Sequence, residues 1–312
     1  MNREIRVFAS ATVSNIACGF DIMGFSINRP GDEVVIRISP EPGVRIVKIT
    51  GDDGRLPKDP LKNTAGKPLI SMIEKLGLKT GLEVDIHKKM PFGSGLGSSA
   101  ASAVAATFAL DRLLELNLPR EELLLYAIEG EKIASGSVHA DNVAPALYGG
   151  FTLIRGYNPP DVVEIDVPEN IYCTILHPDI EISTSESRSL LPREIPLKDA
   201  ITQWGNTAGL IAGLLKSDYA LISRSLQDVV AEPVRTHLIP GFKEIKKAAL
   251  VNGALGCSIS GSGPAIFALS ASGGTASTVG EAMYQALLRT GLSGEIFVSQ
   301  INREGPKVLY LK

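Results

Sequence analysis

The sequence predicts an α+β or α/β protein built in two layered halves. Helix-like runs return between strand-like runs along the whole chain, and that alternation builds sheets with helices packed on them. The 312 residues also exceed what one hydrophobic core usually serves, so two domains are expected. The polar, proline-rich stretch Asn158-Pro159-Pro160-Asp161 is the expected link, which divides the chain into residues 1–160 and 161–312.

Each element has its own signal. Residues 5–10, 33–39 and 82–89 read as strands; the second alternates Val34, Ile36 and Ile38 with more polar neighbours. Residues 51–67 are rich in Gly, Pro and Asp and read as loop, with a helix following to about Leu76. Residues 98–116 are Ala-rich and helical. Pro119 opens a further helix to about Ala134, as proline does in a first turn. Gly149-Gly150 precedes a strand at 151–155. Beyond the link, strands are expected at 171–176, 257–260, 265–270, 295–300 and 308–311. Helical runs are expected at 196–230, 240–252 and 276–290, with Gly205, Gly209 and Gly213 interrupting the first or packing it closely.

Composition excludes several classes. Lys and Arg number 31 against 34 Asp and Glu, with the signs mixed, so no basic face for nucleic acid is indicated. No apolar run approaches bilayer length, and the N-terminus lacks a signal-peptide core, so a cytoplasmic protein without a membrane partner is expected. Cys18, Cys173 and Cys257 are odd in number and far apart, which fits buried reduced thiols.

The chemistry concentrates in five places. The first is Pro91-Phe92-Gly93-Ser94-Gly95-Leu96-Gly97-Ser98-Ser99-Ala100-Ala101, lying between a strand and a helix. Glycines let the backbone approach a ligand. The first amides of a helix have no intrahelical partner, and its dipole favours a phosphate. A P-loop needs Lys-Ser or Lys-Thr after its last glycine, whereas Gly97 is followed by Ser98-Ser99; position 98 also breaks the dinucleotide fingerprint. The plain alternative is a tight turn with a serine N-cap.

The second place sets Asn15 six residues before Asp21 in a turn-like stretch. The third is Glu131, either a solvated helix face or, with the Ser98 hydroxyl, a holder of Mg²⁺ on phosphate oxygens. The fourth runs from His139 to Ala146. A lone His at no ligand spacing is poor evidence for a metal, so Asn142 is the better ligand candidate. The fifth pairs Arg188 with Arg235, and arginine grips carboxylates and phosphates with two parallel bonds. A late turn, Ser260-Gly261-Ser262-Gly263-Pro264, is either a hairpin turn or a backbone approach to the same cleft.

Together these segments resemble the GHMP small-molecule kinases over nearly the whole chain and in the family's order. The phosphate motif is met at residues 91–101 and the late S-G-S-G-P motif at 260–264. H-x-D-N-V-A-P-A at 139–146 and E-P-x-R at 232–235 are similar to the branch that phosphorylates L-homoserine. The N-terminal motif departs most: the family reads P-A-T-S-A-N-L-G-P-G-F-D, and here Ser10, Val13, Ser14, Ala17 and Cys18 differ while Asn15 and Asp21 are kept.

The resemblance implies an α+β two-domain GHMP kinase fold. A ribosomal S5 domain 2-like N-terminal domain binds ATP, and a ferredoxin-like C-terminal domain follows. It implies a cytoplasmic homodimer in threonine biosynthesis, with ATP and Mg²⁺ as cofactors. It implies that Asn15, Asp21 and Asn142 hold the substrate, with Thr184 near the reacting end and Arg188 and Arg235 on the amino-acid carboxylate. Ser98 and Glu131 would hold Mg²⁺, and Asn63 would lie on the adenine side. A relative acting on mevalonate, a sugar or a shikimate-like acid, or a non-catalytic nucleotide sensor, are the alternatives; the paired arginines argue for an amino acid.

Overall fold

A computed structural model describes residues 3–135 and 139–312. The chain begins with β1 (Glu4–Ser14), β2 (Met23–Ser39) and β3 (Gly43–Thr50). Next come α1 (Gly66–Leu76), β4 (Gly81–His87), α2 (Ser98–Leu114), α3 (Arg120–Ser135) and α4 (Val143–Tyr148). The strands β5 (Phe151–Tyr157), β6 (Pro160–Ile165) and β7 (Tyr172–Pro178) follow. The helices α5 (Thr184–Ser189), α6 (Leu197–Lys216), α7 (Tyr219–Ser225), α8 (Glu232–Arg235) and α9 (Phe242–Val251) form the next run. The chain ends through β8 (Gly256–Ile259), β9 (Ile266–Ser270), α10 (Gly273–Leu288), β10 (Gly294–Gln300) and β11 (Lys307–Leu311).

Two sheets result. The first runs β11-β1-β2-β4-β3, with β5 and β6 attached beside the start of β2. Only β3 and β4 pair in parallel, joined through α1; the other pairs are antiparallel. The second sheet runs β10-β7-β9-β8 and is antiparallel throughout.

The expected link at 158–161 lies instead within the β5–β6 hairpin, with Asn158-Pro159 as its turn and Pro160 and Asp161 opening β6. The same Asn-Pro pattern that marks a linker also closes a tight turn. The chain stays in the first sheet to Ile165 and returns to it through β11, which pairs with β1.

The alanines of α2 explain its position. Ala100, Ala101, Ala103, Ala105 and Ala106 are all fully buried, and their small side chains let the helix lie close on β1 and β2. The sheets meet through aromatics: Phe25 of β2 stacks on Phe151 of β5 at 4.6 Å and meets Phe267 of β9 edge-on at 6.0 Å. A separate apolar cluster lies between the second sheet, α9 and α10, with Met283, Leu287 and Ile245 at its centre. Gly209 and Gly213 bring α6 against Ser225 and Ile222 of α7, as close packing requires. No helix among the described residues is long and apolar enough to cross a membrane. Cys18, Cys173 and Cys257 are free and buried, and burial pushes the Cys18 and Cys257 thiols up to about 12.

Candidate active site

The strand β4, the glycine loop and α2 follow one another as the sequence suggests. Gly97 caps α2 in the left-handed conformation, φ 67°, and among the described residues no side chain caps the helix. The serine cap of the plain alternative is therefore absent. The amides of the first turn stay open to a ligand. A Cβ on Gly97 would sit 2.0 Å from Thr12 Oγ1, and one on Gly95, φ 74°, would sit 2.5 Å from the Ser260 carbonyl oxygen. Both positions therefore demand glycine for conformation and for space. Ser94 Oγ is buried with no hydrogen-bond partner among the described residues, a donor that a phosphate oxygen would satisfy.

The late glycine turn joins β8 to β9 and also braces this loop. Ser260 Oγ donates to the Gly95 carbonyl at 2.7 Å, and the Ala265 amide donates to the Ser94 carbonyl at 3.1 Å.

Beneath the loop, Ser98 Oγ donates to Asp32 Oδ2 at 2.7 Å. Lys88 Nζ pairs with the same carboxylate and donates to the Ser98 carbonyl at 2.8 Å and Ser102 Oγ at 2.7 Å. Glu131 of α3 accepts a 2.6 Å hydrogen bond from Ser99 Oγ. Burial pushes the Glu131 carboxyl up to about 7, against the pull of Ser99 and the Lys88 charge.

That state suits an incoming cation, which would restore the ionised form. Among the described residues no group of three His, Cys, Asp or Glu side chains can hold a metal alone. A hydroxyl and one carboxylate match Mg²⁺, which keeps waters and binds phosphate oxygens, better than an ion needing a full protein cage.

The opposite end of the cleft is charged. Arg188 of α5 grips Asp21 through two bonds, Nη1 to Oδ2 at 3.1 Å and Nη2 to Oδ1 at 2.8 Å. Arg235, at the end of α8, is 4% exposed and donates to the Ser187 and Gly261 carbonyls, both at 3.2 Å. Burial, then the nearby Arg188 charge, lowers its pKa below the ordinary guanidinium value. No carboxylate among the described residues forms an ion pair with Arg235, so it is a buried cation that an anion would suit. Phe20 lies under both guanidinium groups, 5.1 Å from Arg235 and 5.8 Å from Arg188.

His139 Nδ1 stands 3.7 Å from Asp21 Oδ2, and burial lowers the imidazole pKa, which favours the neutral ring. Burial also raises the Asp141 carboxyl to about 7, helped by the charges of Asp21 and Glu131.

One cleft of about 680 Å³ joins the two ends. Asn15, Asp21, Asn63, Ser98, Glu131, Asn142, Thr184, Arg188, Arg235, Gly261 and Ser262 all line it, with the loop from Phe92 to Ser99. Pro91, Ala100, Ala101 and Gly263 flank the lining without joining it.

Several lining amides are engaged within the protein. Asn15 Nδ2 donates to the Gly261 carbonyl at 2.9 Å, and its Oδ1 accepts from the Asp21 amide at 3.0 Å. Asn142 accepts from Thr12 Oγ1 at 2.8 Å and donates to Ser14 Oγ at 3.1 Å. Asn63 binds the Pro57 carbonyl and the Ala65 amide, both at 2.9 Å, so both ends of its amide shape its own loop. Thr184 Oγ1 lies 3.3 Å from Ser262 Oγ.

The N-terminal motif has unusual backbone. Asn15, Ile16 and Ala17 are left-handed in succession, φ 71°, 42° and 58°. The family's glycine at position 17 would carry that conformation without steric cost; here alanine adopts it.

Sequence reasoning missed Phe20, Asp32 and Lys88. Phe20 had the adjacent Asp21 as a signal. Asp32 and Lys88 belong to the ordinary charged pairs Asp32-Glu33 and Lys88-Lys89, 56 residues apart, and only strand pairing unites them.

Comparison with known proteins gives the family. The family model for the GHMP kinases N terminal domain matches residues 63–150, and that for the GHMP kinases C terminal matches residues 210–289. A homoserine kinase of Chlorobium phaeobacteroides is 51% identical over 98% of this chain and 100% of its own. The crystal structure of homoserine kinase from Cytophaga hutchinsonii superposes with a TM-score of 0.96 at 54% identity, covering 98% of this chain and 97% of that one. The chain belongs to the homoserine kinase family of GHMP kinases. Mevalonate kinase from L. major shares the fold, with a TM-score of 0.72 at 19% identity over 96% of this chain and 95% of its own.

Proposed function

We propose that this protein transfers the γ-phosphoryl group of ATP to the hydroxyl of L-homoserine, yielding O-phospho-L-homoserine and ADP in threonine biosynthesis. One observation carries the reading: an open glycine loop at a helix N-terminus shares a cleft with a buried arginine and an Asp–Arg pair.

The roles follow from the donors. The loop from Gly93 to Ser99 receives the phosphates on backbone amides and the Ser94 hydroxyl. Leu56, Pro57, Asn63 and Phe92 line the side where the adenine would rest. Arg235 and Arg188 take the amino-acid carboxylate, and Asp21 takes the ammonium group. Asn15, Asn142 and Thr184 shape the pocket around the reacting hydroxyl. Ser98 and Glu131 would hold Mg²⁺, which when bound neutralises phosphate charge. Phosphoryl transfer depends mainly on positioning and charge stabilisation. The hydroxyl proton passes to the γ-phosphoryl oxygens without a dedicated base.

The same reading includes a cytoplasmic homodimer. Leu197, Ile201 and Trp204 form an exposed apolar stripe on α6, and a second copy is a natural cover for it. Sedimentation at working concentration tests the dimer.

ADP release with Mg-ATP tests the activity, with L-homoserine compared against L-serine, L-threonine and mevalonate. ADP formed only with homoserine supports the reading. Turnover on another alcohol alone overturns the acceptor, and ATP binding without turnover on any overturns the kinase.

A further inference from the structure

The Asp32 carboxylate is fully buried and stands outside the cleft lining, yet it governs a group that faces the cleft. Its Oδ1 accepts from the amides of Lys89 at 2.7 Å and Met90 at 3.2 Å. Its Oδ2 accepts from Lys88 Nζ and, at 2.7 Å, from Ser98 Oγ. A carboxylate has about four acceptor sites, and four donors occupy these. A serine hydroxyl has one hydrogen to donate and two lone pairs. The Ser98 hydrogen is committed to Asp32, so what Ser98 offers the cleft is lone pairs alone.

We infer that Asp32 is a positioning residue that turns the Ser98 hydroxyl from a phosphate donor into an acceptor for a divalent cation. The inference rests on the proposed metal role of Ser98 and Glu131. Lys88 balances the buried Asp32 charge, so the anion directs Ser98 without adding net charge beneath the phosphate loop.

The test is Mn²⁺ binding to the protein with ADP, read from the spin-resonance signal of free Mn²⁺, alongside ADP affinity in EDTA and thermal melting. Asp32→Asn alone strands the Lys88 cation, so the paired variant Asp32→Asn with Lys88→Met removes both charges. Lys88→Met alone, which in turn strands the Asp32 anion, controls for loss of the ammonium, and thermal melting reports its stability. Ser98→Ala should weaken Mn²⁺ about 10- to 100-fold, and the paired Asp32 variant should do the same, as loss of an outer partner does. Adding Ser98→Ala to the paired variant should weaken Mn²⁺ little further, because both changes remove one interaction. Lys88→Met should hold Mn²⁺ at least as tightly as the parent, and ADP affinity in EDTA should stay within about twofold throughout.

Parent-like Mn²⁺ affinity in a folded paired variant overturns the inference. So does equal weakening by Lys88→Met alone, and so does a paired variant that no longer melts cooperatively, since Asp32 would then act on the fold. Ser98→Ala with parent-like Mn²⁺ affinity is a separate result: it removes the metal reading of Ser98 itself.

Discussion

The two ends of the cleft are built on different principles. The proposed phosphate end is made of backbone: eleven consecutive residues, left-handed glycines and open helix amides, braced from behind by the late glycine turn. The proposed acceptor end is made of side chains, the charged Asp21, Arg188 and Arg235 beside His139, and it is already partly paired before any ligand arrives. The first is shaped to receive charge and the second to exchange it. An amino acid with an ammonium and a carboxylate can replace both halves of the Asp21–Arg188 pair, whereas a plain alcohol would leave Asp21 or the arginines without partners.

If the ends are separable, substitutions should divide cleanly between the two substrates. Gly97→Ala should have the largest effect. Its methyl has no room against Thr12 Oγ1, and displacing a reacting group by an ångström costs about 100-fold in rate. We expect at least that loss in kcat/KM for ATP; the same methyl would sit 2.9 Å from Asn142 Oδ1, so homoserine affinity by calorimetry should fall as well but by less, and equal loss at both ends would break the comparison.

Asp21→Asn should raise the homoserine KM by about 10- to 150-fold, the size of a lost charge-assisted hydrogen bond, and leave the ATP KM near its parent value. Collapse of kcat with homoserine binding intact would make Asp21 a base instead.

Asp141 tests the crowding of charge at the acceptor end. Its pKa is raised by burial and neighbouring acids, so the stability of the protonated form is present at low pH and lost as pH rises through about 7. Asp141→Asn should therefore raise the unfolding free energy at pH 8 by on the order of 1–3 kcal/mol, with the gain fading toward pH 4. Denaturant unfolding at both pH values reads this directly, and a gain equal at both would remove the buried charge as its cause.

Ser260→Ala should act least. It removes one strut of the phosphate loop, worth about 0.5–1.5 kcal/mol, so the ATP KM should rise roughly 2- to 10-fold and the homoserine KM should hold.

The contrast also explains what could be read from the sequence. A strand, glycines and a helix start form one contiguous stretch, and local rules decode it. The arginines, Asn15 and Asp21 were found as fragments, and the family resemblance united them before the fold did. The supports were hidden because they act across strands: Asp32 reaches Ser98 over 66 residues, and Phe20 meets guanidinium groups from α5 and α8. Strands β3 and β6 escaped because both are largely exposed and carry charges such as Arg45, Lys48, Asp161 and Glu164, which blur the alternation that marks a strand. The left-handed run at Asn15–Ala17 was invisible for the opposite reason, since isoleucine and alanine are not residues that announce such a turn.

The most direct measurement is the pair of KM values in Arg235→Lys. Lysine keeps the charge but loses the planar fork that grips a carboxylate. The account predicts a homoserine KM raised about 10- to 150-fold with the ATP KM within about twofold of the parent. An unchanged homoserine KM would contradict it, because the buried guanidinium would then not be holding the acceptor.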